Sequence, residues 1–281
     1  MTAPQAAPRI WYQSMIPLDA HGAYLDALTR HAAEVCTPGV EVIVHGVSPM
    51  SYGNRTPADL LRYPYAKHVV QQEVIDYARR AEAEGFDGMI LGSFSEPFLT
   101  EVRSLVRIPV VSMPEATLLT SCSLAEQFAL VTLGASNVIR LRRVIRRHGL
   151  ESRVAGIFPF PTQTDEAELN AAFTAPEVLV ERFTSVAQEA VKAGADVVIP
   201  AEGVLNELLR FNDVTSIDGA TVMDCVGTSL LYAEFLIAMR RRLDLGVGRR
   251  WSYLTPPPDL KVHLDHYVRE RASSHSIKQE Q

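Results

Sequence analysis

Two segments of the chain share a short pattern but differ at one position that could carry out chemistry. One reads GFDGMILGSFSEP from Gly85, and the other reads GADVVIPAEGVLNEL from Gly194. Aligning the two glycines places Ser93 of the first segment on Glu202 of the second. In each segment a helix pattern ends at glycine, a short apolar strand follows, and small residues form a turn. The pattern predicts an internal duplication with Ser93 and Glu202 at equivalent turns.

Glu202 can act as a general acid or base if it lies in a partly apolar cleft. Desolvation raises the pKa of a buried carboxyl group and brings proton exchange closer to neutral pH. General acid–base catalysis by such a group contributes roughly 10²–10⁴-fold in rate. A helix pattern opens directly after Glu202, and a helix N-terminus favours the anion and opposes the rise. The sequence leaves this balance open, together with the alternative that Glu202 is a solvent-facing acid at a helix N-terminus.

The residues around Ser93 are suited to binding an oxygen anion. The Ser93 hydroxyl can donate to a carboxylate or an enolate oxygen, but unaided it is too weak an acid for proton transfer at neutral pH. Gly92, Phe94 and Ser95 leave backbone amides free at a strand end, where such amides form oxyanion sites. Two alternatives stay open: Ser93 is a nucleophile with Glu202 as its base, or Ser93 is an ordinary helix cap.

Short apolar runs alternate with longer helical patterns along the chain, which predicts an α/β fold with parallel sheets. Continuous apolar runs such as GMIL, FALV and DVVI are typical of strands that are covered on both faces. Ligands of such folds bind beyond the carboxyl ends of the strands, where both turns lie. The predicted strands are Arg9–Gln13, Val40–Gly46, Gly88–Leu91, Val110–Ser112, Phe128–Thr132, Arg153–Phe158, Val197–Pro200 and Thr221–Met223. The predicted helices are 20–36, 66–84, 114–126, 136–148, 175–193, 203–212 and 226–243.

The composition limits the function classes. The chain has 281 residues, 47% of them hydrophobic, and a net charge of −6, which argues against nucleic-acid binding. The basic residues between Arg140 and Arg147 fall on a helical pattern and are interpreted as a solvated face. Three dispersed cysteines favour a reducing compartment, and neither a signal peptide nor a membrane span is expected. We therefore expect a cytoplasmic protein. Without a glycine-rich nucleotide loop or a metal cluster, no cofactor is expected.

Four segments in order resemble the aspartate/glutamate racemase superfamily, and most closely its hydantoin racemase-like branch. The resemblance covers residues 9–245 and is specific for the fold but only weakly specific for the reaction. Its carriers are EGFDGMILGSFSEPFLTEVRSLVRIPVVSMPEA, FALVTLGASNVIRLRRVIRRHGL, AGADVVIPAEG and IDGATVMDCVGTSLLYAEFLI. The resemblance implies two similar α/β domains related by a pseudo-twofold axis, with a pocket between them.

In the racemases of this superfamily a cysteine occupies the turn after each of the two repeated strands, one thiol for each face of the substrate. Here those positions hold Ser93 and Glu202, so a two-thiol racemase is disfavoured. Cys36 and Cys122 are interpreted as buried structural thiols, whereas Cys225 is a less favoured candidate for the pocket lining.

The resemblance also indicates residues that bind substrate. The turn from Thr132 through Leu133 and Gly134 to Ser136 could hold a carboxylate at a helix N-terminus, or Ser136 could be an ordinary cap. Gly203 belongs to the glutamate-bearing turn. Ile16 and Pro17 stand where the family usually has a polar turn, which suggests a more apolar or bulkier substrate. Tyr52, Tyr63, Tyr65 and His68 are weaker candidates for the pocket entrance, and Glu115 is expected at the pocket rim or as a structural anchor.

The expected domains are 9–113 with 215–246, then 114–214, followed by a C-terminal extension at 247–281. The segment 159–175 is expected to form a flap. The end of the extension is expected to be mobile, and its proline-rich part could contact another subunit of a homo-oligomer.

Three functions stay open. The first is a cofactor-independent isomerase or lyase that transfers a proton next to a carbonyl of a small substrate, with Glu202 as acid or base. The second is a hydrolase of a small amide, imide, lactone or cyclic ureide that uses Glu202 and Ser93. The third is an inactive relative that binds a small acid.

Overall fold

The computed structural model describes residues 6–276, which form two lobes, each built on a sheet dominated by parallel strands. In the first lobe the strand order is β2-β1-β3-β4, and every neighbouring pair is parallel. The elements of this lobe are β1 Arg9–Gln13, α1 Gly22–Val35, β2 Glu41–His45, α2 Pro57–Leu61, α3 Pro64–Gln71, α4 Glu73–Ala83, β3 Gly88–Leu91, α5 Leu99–Leu105, β4 Val110–Ser112 and α6 Met113–Leu124.

The second lobe repeats this arrangement. Its strand order is β6-β5-β7-β9, all parallel, with the short strand β8 added antiparallel at the edge. Its elements are β5 Phe128–Thr132, α7 Val138–Arg147, β6 Val154–Pro159, α8 Glu166–Ala172, α9 Glu177–Lys192, β7 Val197–Pro200, α10 Gly203–Arg210, β8 Ser216–Ile217 and β9 Ala220–Val222. Two further helices follow, α11 Cys225–Leu243 and α12 Pro258–Ser276.

The strand orders confirm the α/β fold and its duplication. The two repeated strands, β3 and β7, hold the same place in their sheets, so their carboxyl ends are equivalent positions. Every residue of β3, β5 and β7 is buried, as the continuous apolar runs predict for strands covered on both faces.

One hydrophobic core joins the lobes. A single cluster of buried side chains includes Ile10 and Ile90 of the first sheet together with Leu130 and Ile199 of the second. Burying one large aliphatic side chain of this kind stabilises a fold by about 1.5–3 kcal/mol. The turns at the carboxyl ends of β3 and β7 therefore rest on a hydrophobic core that the two lobes share.

The chain passes from the second lobe back to the first at a later residue than the expected boundary at 215. Strands β8 and β9 pair in the second sheet, whereas α11 packs against α1, α6, β3 and β4 of the first lobe. The chain therefore returns to the first lobe at Asp224, the N-cap of α11. The antiparallel pairing of β8 with β9 places both short strands at the edge of the second sheet.

Several helices were not expected from the sequence. The predicted helix at 66–84 is divided into α3 and α4, and α2, α5, α8 and α12 were not predicted. Helix α8 lies inside the expected flap at 159–175. Much of the extension is helical, and α12 is tied to α4 by Arg79, whose Nη2 lies 2.6 Å from Asp265 Oδ2. Residues 277–281 lie outside the described part, and no helix within 6–276 is long and apolar enough to span a membrane.

A buried histidine links the lobes behind the two turns. His31 of α1 is fully buried, with Nδ1 2.9 Å from Glu207 Oε1 and Nε2 2.8 Å from Asp224 Oδ2. Burial disfavours the imidazolium, but Asp224 and Glu207 outweigh it and raise the pKa of His31 to about 9. Asn206 extends the network, donating to Asp224 and accepting from the Cys225 N–H. Helices α1, α10 and α11 thus meet at one positive charge.

We predict that His31→Gln destabilises the protein, by about 3–5 kcal/mol near neutral pH, because it leaves the fully buried Glu207 carboxylate without its cation. Asp224 is partly exposed and keeps the Arg210 guanidinium at 3.8 Å. The raised pKa stabilises the fold fully below the unfolded-state value of 6.5, and this contribution is lost as the pH rises through about 9. Thermal melts between pH 6 and 10 should therefore show a decline in wild type that is weaker in the variant. His263→Gln, on the exposed surface of α12, is the control. Equal pH dependence in wild type and His31→Gln would show that His31 is not charged in the fold.

Candidate functional site

The two repeated turns meet at the carboxyl ends of β3 and β7. We call residues 92–98 the serine turn and residues 201–203 the glutamate turn. A Cβ atom added to Gly203 would lie only 3.9 Å from the carbonyl oxygen of Gly92. Ser93 follows Gly92, and Glu202 precedes Gly203. Both residues therefore border the same junction between the lobes.

Two buried tyrosines fill the floor of this junction. A Cβ at Gly92 would lie 2.5 Å from the Tyr12 ring, and one at Gly203 would lie 2.7 Å from the Tyr24 hydroxyl oxygen. Glycine is required at both places because the tyrosines occupy the space of a side chain. The Tyr12 hydroxyl is buried and has no hydrogen-bond partner among residues 6–276. Burial, followed by the nearby Tyr24 and Glu207, raises its pKa.

The serine turn is a loop rather than a helix start. Helix α5 begins only at Leu99, and Phe98 is its N-cap, so Ser93 is not a helix cap. Glu96 and Phe98 both have left-handed backbone angles, with φ of 35° and 53°, which allow the chain to turn twice before the helix.

Ser93 is half-buried and belongs to a short chain of polar side chains. Its Oγ accepts from the Ser95 N–H at 3.2 Å and lies 3.0 Å from Ser95 Oγ. Gln71 of α3 donates to Ser95 Oγ at 3.0 Å. None of these partners is a base, so the described contacts do not favour a nucleophilic Ser93. Gly92, Phe94 and Ser95 are themselves buried. The expectation of free amides here is wrong for two of them, because the Gly92 N–H donates to the Gln13 carbonyl at 2.9 Å and the Ser95 N–H donates to Ser93 Oγ at 3.2 Å.

Glu202 occupies the N-cap position of α10 but makes no side-chain cap hydrogen bond. Its side chain is 30% exposed, so the carboxyl group reaches solvent although the surrounding protein desolvates it. Burial raises the pKa of Glu202 above the ordinary value, the Arg140 guanidinium opposes this, Glu166 adds to it, and the Gly203 N–H opposes it. The net effect is a raised pKa of Glu202, so desolvation outweighs the neighbouring groups that favour the anion.

Arg140 is a residue of this site that sequence reasoning missed. The basic run was interpreted as a solvated face, and Arg142, Arg143 and Arg146 are indeed exposed. Arg140, in the first turn of α7, is only 25% exposed, and its Nη2 lies 3.8 Å from Glu202 Oε2. The sequence position of Arg140 could have indicated a place in the site, because the first turn of a helix that follows a parallel strand faces the ligand-binding edge of the sheet.

The flap segment at 159–175 brings a second carboxylate towards Glu202. Glu166, the first residue of α8, raises the pKa of Glu202 by its negative charge. His21, which follows the turn after β1, lies 3.9 Å from the Glu166 carboxylate through Nε2. Neither residue stands out in the sequence, since each falls in a polar stretch with no motif.

Glu96 fastens the serine turn to the second lobe. Its side chain is fully buried, and its carboxylate accepts from Ser112 at 2.6 Å and contacts His148 at 2.8 Å and Arg147 at 3.1 Å. Burial acts to raise the pKa of Glu96, but His148, Ser112 and Arg147 outweigh it and lower it. Glu96 is therefore an ionised structural anchor rather than an acid–base group.

The turn from Thr132 to Ser136 is covered from within the chain. Thr132 is fully buried and its Oγ1 accepts from Asn137, while Leu133 is also buried. A Cβ at Gly134 would lie 2.1 Å from Gln163 Oε1, and Ser136 donates to that same oxygen at 2.8 Å. Ser136 is not the cap of α7, which is Asn137. A carboxylate at this turn therefore stays a prediction that requires Gln163 to move.

Some of the remaining candidate residues lie in the turn after β1, and others are packing or surface residues. Ile16 is half-buried and Pro17 is buried in the turn after β1, and the Pro17 carbonyl accepts from His21 at 2.7 Å. Tyr52 is a packing residue whose hydroxyl donates to the Met15 carbonyl at 2.6 Å. The other candidates have different surroundings: Tyr63 and Tyr65 are exposed, His68 packs against Phe98 of the serine turn, Glu115 pairs with Arg103, and Cys225 is fully buried.

The larger of two prominent surface cavities is elsewhere. It measures about 300 Å³ and is lined by residues of α11 and of the extension, including Tyr232, Met239 and Tyr253. Neither Ser93 nor Glu202 lines it.

The fold and the paired turns define a class: a duplicated α/β protein with its candidate site between two equivalent strand ends. The sequence model of the Asp/Glu/Hydantoin racemase family matches residues 16–222, and the chain belongs to this family.

Its relatives agree with the hydantoin racemase-like branch. A hydantoin racemase from Pseudomonas sp. (strain NS671) is 24% identical over 217 residues, covering 76% of this chain and 81% of the relative. A hydantoin racemase from Paenarthrobacter aurescens is 24% identical over 224 residues, covering 79% and 89%. Allantoin racemase from Klebsiella pneumoniae has the same fold, with a TM-score of 0.70 at 20% identity over 89% of this chain and 94% of that one.

We predict that Gly203→Ala destabilises the protein by about 1–3 kcal/mol, because the new Cβ overlaps the Tyr24 hydroxyl. In a Tyr24→Phe background the hydroxyl is gone, and the cost of the same change should fall by at least half. Chemical denaturation of the four proteins of this cycle measures the coupling. Gly246→Ala, where a Cβ meets nothing within 4 Å, is the control. An equal cost in both backgrounds would mean that the tyrosine does not fill the junction.

Proposed function

We propose that this protein is a cofactor-independent enzyme that transfers a proton at a carbon next to a carbonyl or carboxylate of a small substrate. Glu202 is the acid–base group, and the reaction is of the isomerase or lyase type. The observation that carries the proposal is the position of Glu202: a desolvated carboxyl group with a raised pKa, at the turn equivalent to Ser93, beside the junction of the lobes.

The raised pKa suits both directions of proton transfer. As a base, the Glu202 carboxylate takes the α-proton, the C–H bond breaks, and its electron pair forms an enolate. As an acid, protonated Glu202 returns a proton to that carbon, or supplies one after another group has left. A catalytic group works best when its pKa lies near the working pH, which desolvation favours here.

The serine turn is assigned to the developing negative charge. The half-buried Ser93 hydroxyl lies across the junction from Glu202, where it could donate to an enolate oxygen. The N–H groups of Gly92, Ser93 and Ser95 already donate to Gln13, Leu91 and Ser93 itself. Because the described contacts of Ser93 are with Ser95, donation to substrate requires only that this weak local bond be exchanged. Serine in place of a thiol leaves one face without a competent base, which supports one-sided proton transfer.

Wild-type protein incubated in D₂O with a panel of small α-substituted carbonyl acids should incorporate deuterium at the α-carbon of substrate or product. Glu202→Gln should reduce this exchange by roughly 10²-fold or more, because the amide cannot take up or return the proton. Mass spectrometry and NMR measure the label. Glu181→Gln, an exposed acid of α9, is the control.

Two outcomes would overturn this assignment. Full activity in Glu202→Gln would remove the acid–base role. Oxygen-18 from water in a new carboxyl group, with no deuterium on carbon, would instead favour the hydrolase alternative. If neither label enters any compound of the panel, the binding-protein alternative is favoured.

A second prediction concerns the two thiol positions. The double variant Ser93→Cys with Glu202→Cys should lose one-sided transfer and gain racemisation of an α-substituted acid, because each face would then have a thiol. Chiral chromatography of single enantiomers in the double and single variants measures this. Cys36→Ser in the double variant is the control for a stray thiol, since Cys36 lies at the end of α1. Racemisation by wild type itself at a higher rate than the double variant would contradict one-sided transfer.

A further inference from the structure

The Arg140 guanidinium has donors that the protein does not use. Its Nη2 donates to Asn137 Oδ1 at 3.1 Å and stands 3.8 Å from Glu202, a distance too long for a hydrogen bond. Its Nε is buried and has no hydrogen-bond partner within residues 6–276. A buried N–H of a charged group that lacks an acceptor is costly, so such a group is commonly completed by a ligand.

The guanidinium is also held in place. Asn137, which accepts from Arg140, donates to Thr132 Oγ1 at 3.1 Å, and Thr132 is fully buried at the end of β5. This chain of contacts fixes the planar group against the carboxyl edge of the second sheet. A fixed guanidinium binds carboxylates through two parallel hydrogen bonds and discriminates by geometry as well as charge.

A second cation faces the same region from the first lobe. Lys67 of α3 lies among Arg140, Arg143 and Arg147 of α7, with Glu96 as the nearby anion. Burial, followed by these three arginines, lowers the pKa of Lys67 to about 8. An ammonium group in such surroundings is stabilised by an added anion.

We propose that Arg140 forms a carboxylate subsite beside Glu202, so that the substrate is an anionic acid rather than a neutral cyclic ureide. This inference rests on the proposed function and names the substrate class for the same site. The carboxylate of the substrate fills the free donors of Arg140.

Occupation of this subsite acts on the acid–base group. Arg140 holds down the pKa of Glu202 in the free protein. A substrate carboxylate adds a negative charge nearby and shares the guanidinium, so the pKa of Glu202 rises further when substrate binds. The substrate thereby favours the protonated form of Glu202, which is the form that delivers a proton to carbon.

The test measures binding separately from turnover. Isothermal titration of the full chain at pH 7 uses acetate, malonate and benzoate, each paired with its neutral amide. At least one acid should bind about tenfold or more tightly than its amide. Arg140→Met should lower the affinity for that acid by about tenfold or more, while Arg142→Met, an exposed arginine of the same helix, should leave it unchanged.

The pH dependence of acid binding tests the position of Glu202 beside the subsite, 3.8 Å from Arg140. Protonation of Glu202 at low pH removes a competing carboxylate and should tighten binding in wild type but not in Glu202→Gln.

The outcomes separate the subsite from the proposed function. If no acid binds better than its amide, or if Arg140→Met retains full affinity, the subsite is overturned whatever the enzyme does. If acids bind through Arg140 but Glu202→Gln retains deuterium exchange, the acid–base role of Glu202 fails and the subsite stands. Glu202→Gln that keeps acid binding and loses exchange supports both.

Discussion

The structure depends on a positive charge enclosed between two carboxylates. His31 is fully buried, and its two ring nitrogens face Glu207 of α10 and Asp224 at the start of α11. The three groups come from helices that belong to different parts of the fold, so the charge can be compensated only when both lobes are assembled. An unpaired buried charge would cost several kcal/mol, and this penalty makes the relative position of the helices specific. Glu202 is the N-cap of helix α10, and the network therefore also fixes the direction from which that carboxyl group approaches the junction.

The candidate site has two tightly packed turns and a neighbouring segment that is held by polar contacts. Gly92 and Gly203 allow the two turns to approach closely over Tyr12 and Tyr24, leaving no space for larger residues. By contrast, α8 and Gln163 lie in the flap segment, which covers the second lobe's own turn by a few polar contacts. The two turns are thus packed against the core, whereas the segment over the Thr132–Ser136 turn is held by polar contacts.

The electrostatics of the site bear on the acid–base role proposed for Glu202. A carboxyl group that exchanges protons near neutrality needs an upward shift of its pKa. Burial and Glu166 act in that direction, and Arg140 opposes them. Cys225, the cysteine nearest to Glu202 in sequence, is fully buried, and burial raises its pKa.

The sequence by itself determined the α/β class, the duplication and the equivalence of Ser93 and Glu202. These follow from local patterns: continuous apolar runs specify doubly covered strands, and a glycine after a helix followed by such a run marks each copy. The positions of β3, β5 and β7 agree with the prediction to the residue, since four or five consecutive apolar residues leave little freedom in the boundary.

Only the tertiary structure decided which further groups join the two turns. Arg140, Lys67, His21 and Glu166 come from four elements with no common motif, and their meeting depends on the packing of one lobe on the other. The same holds for β8 and β9: the sequence predicts a strand at Thr221–Met223 and assigns it to the first lobe, whereas β8 and β9 both pair in the second sheet. The sign of the pKa shift at Glu202 was also undecidable from sequence, because it is the difference between desolvation and neighbouring charges that act through space rather than along the chain.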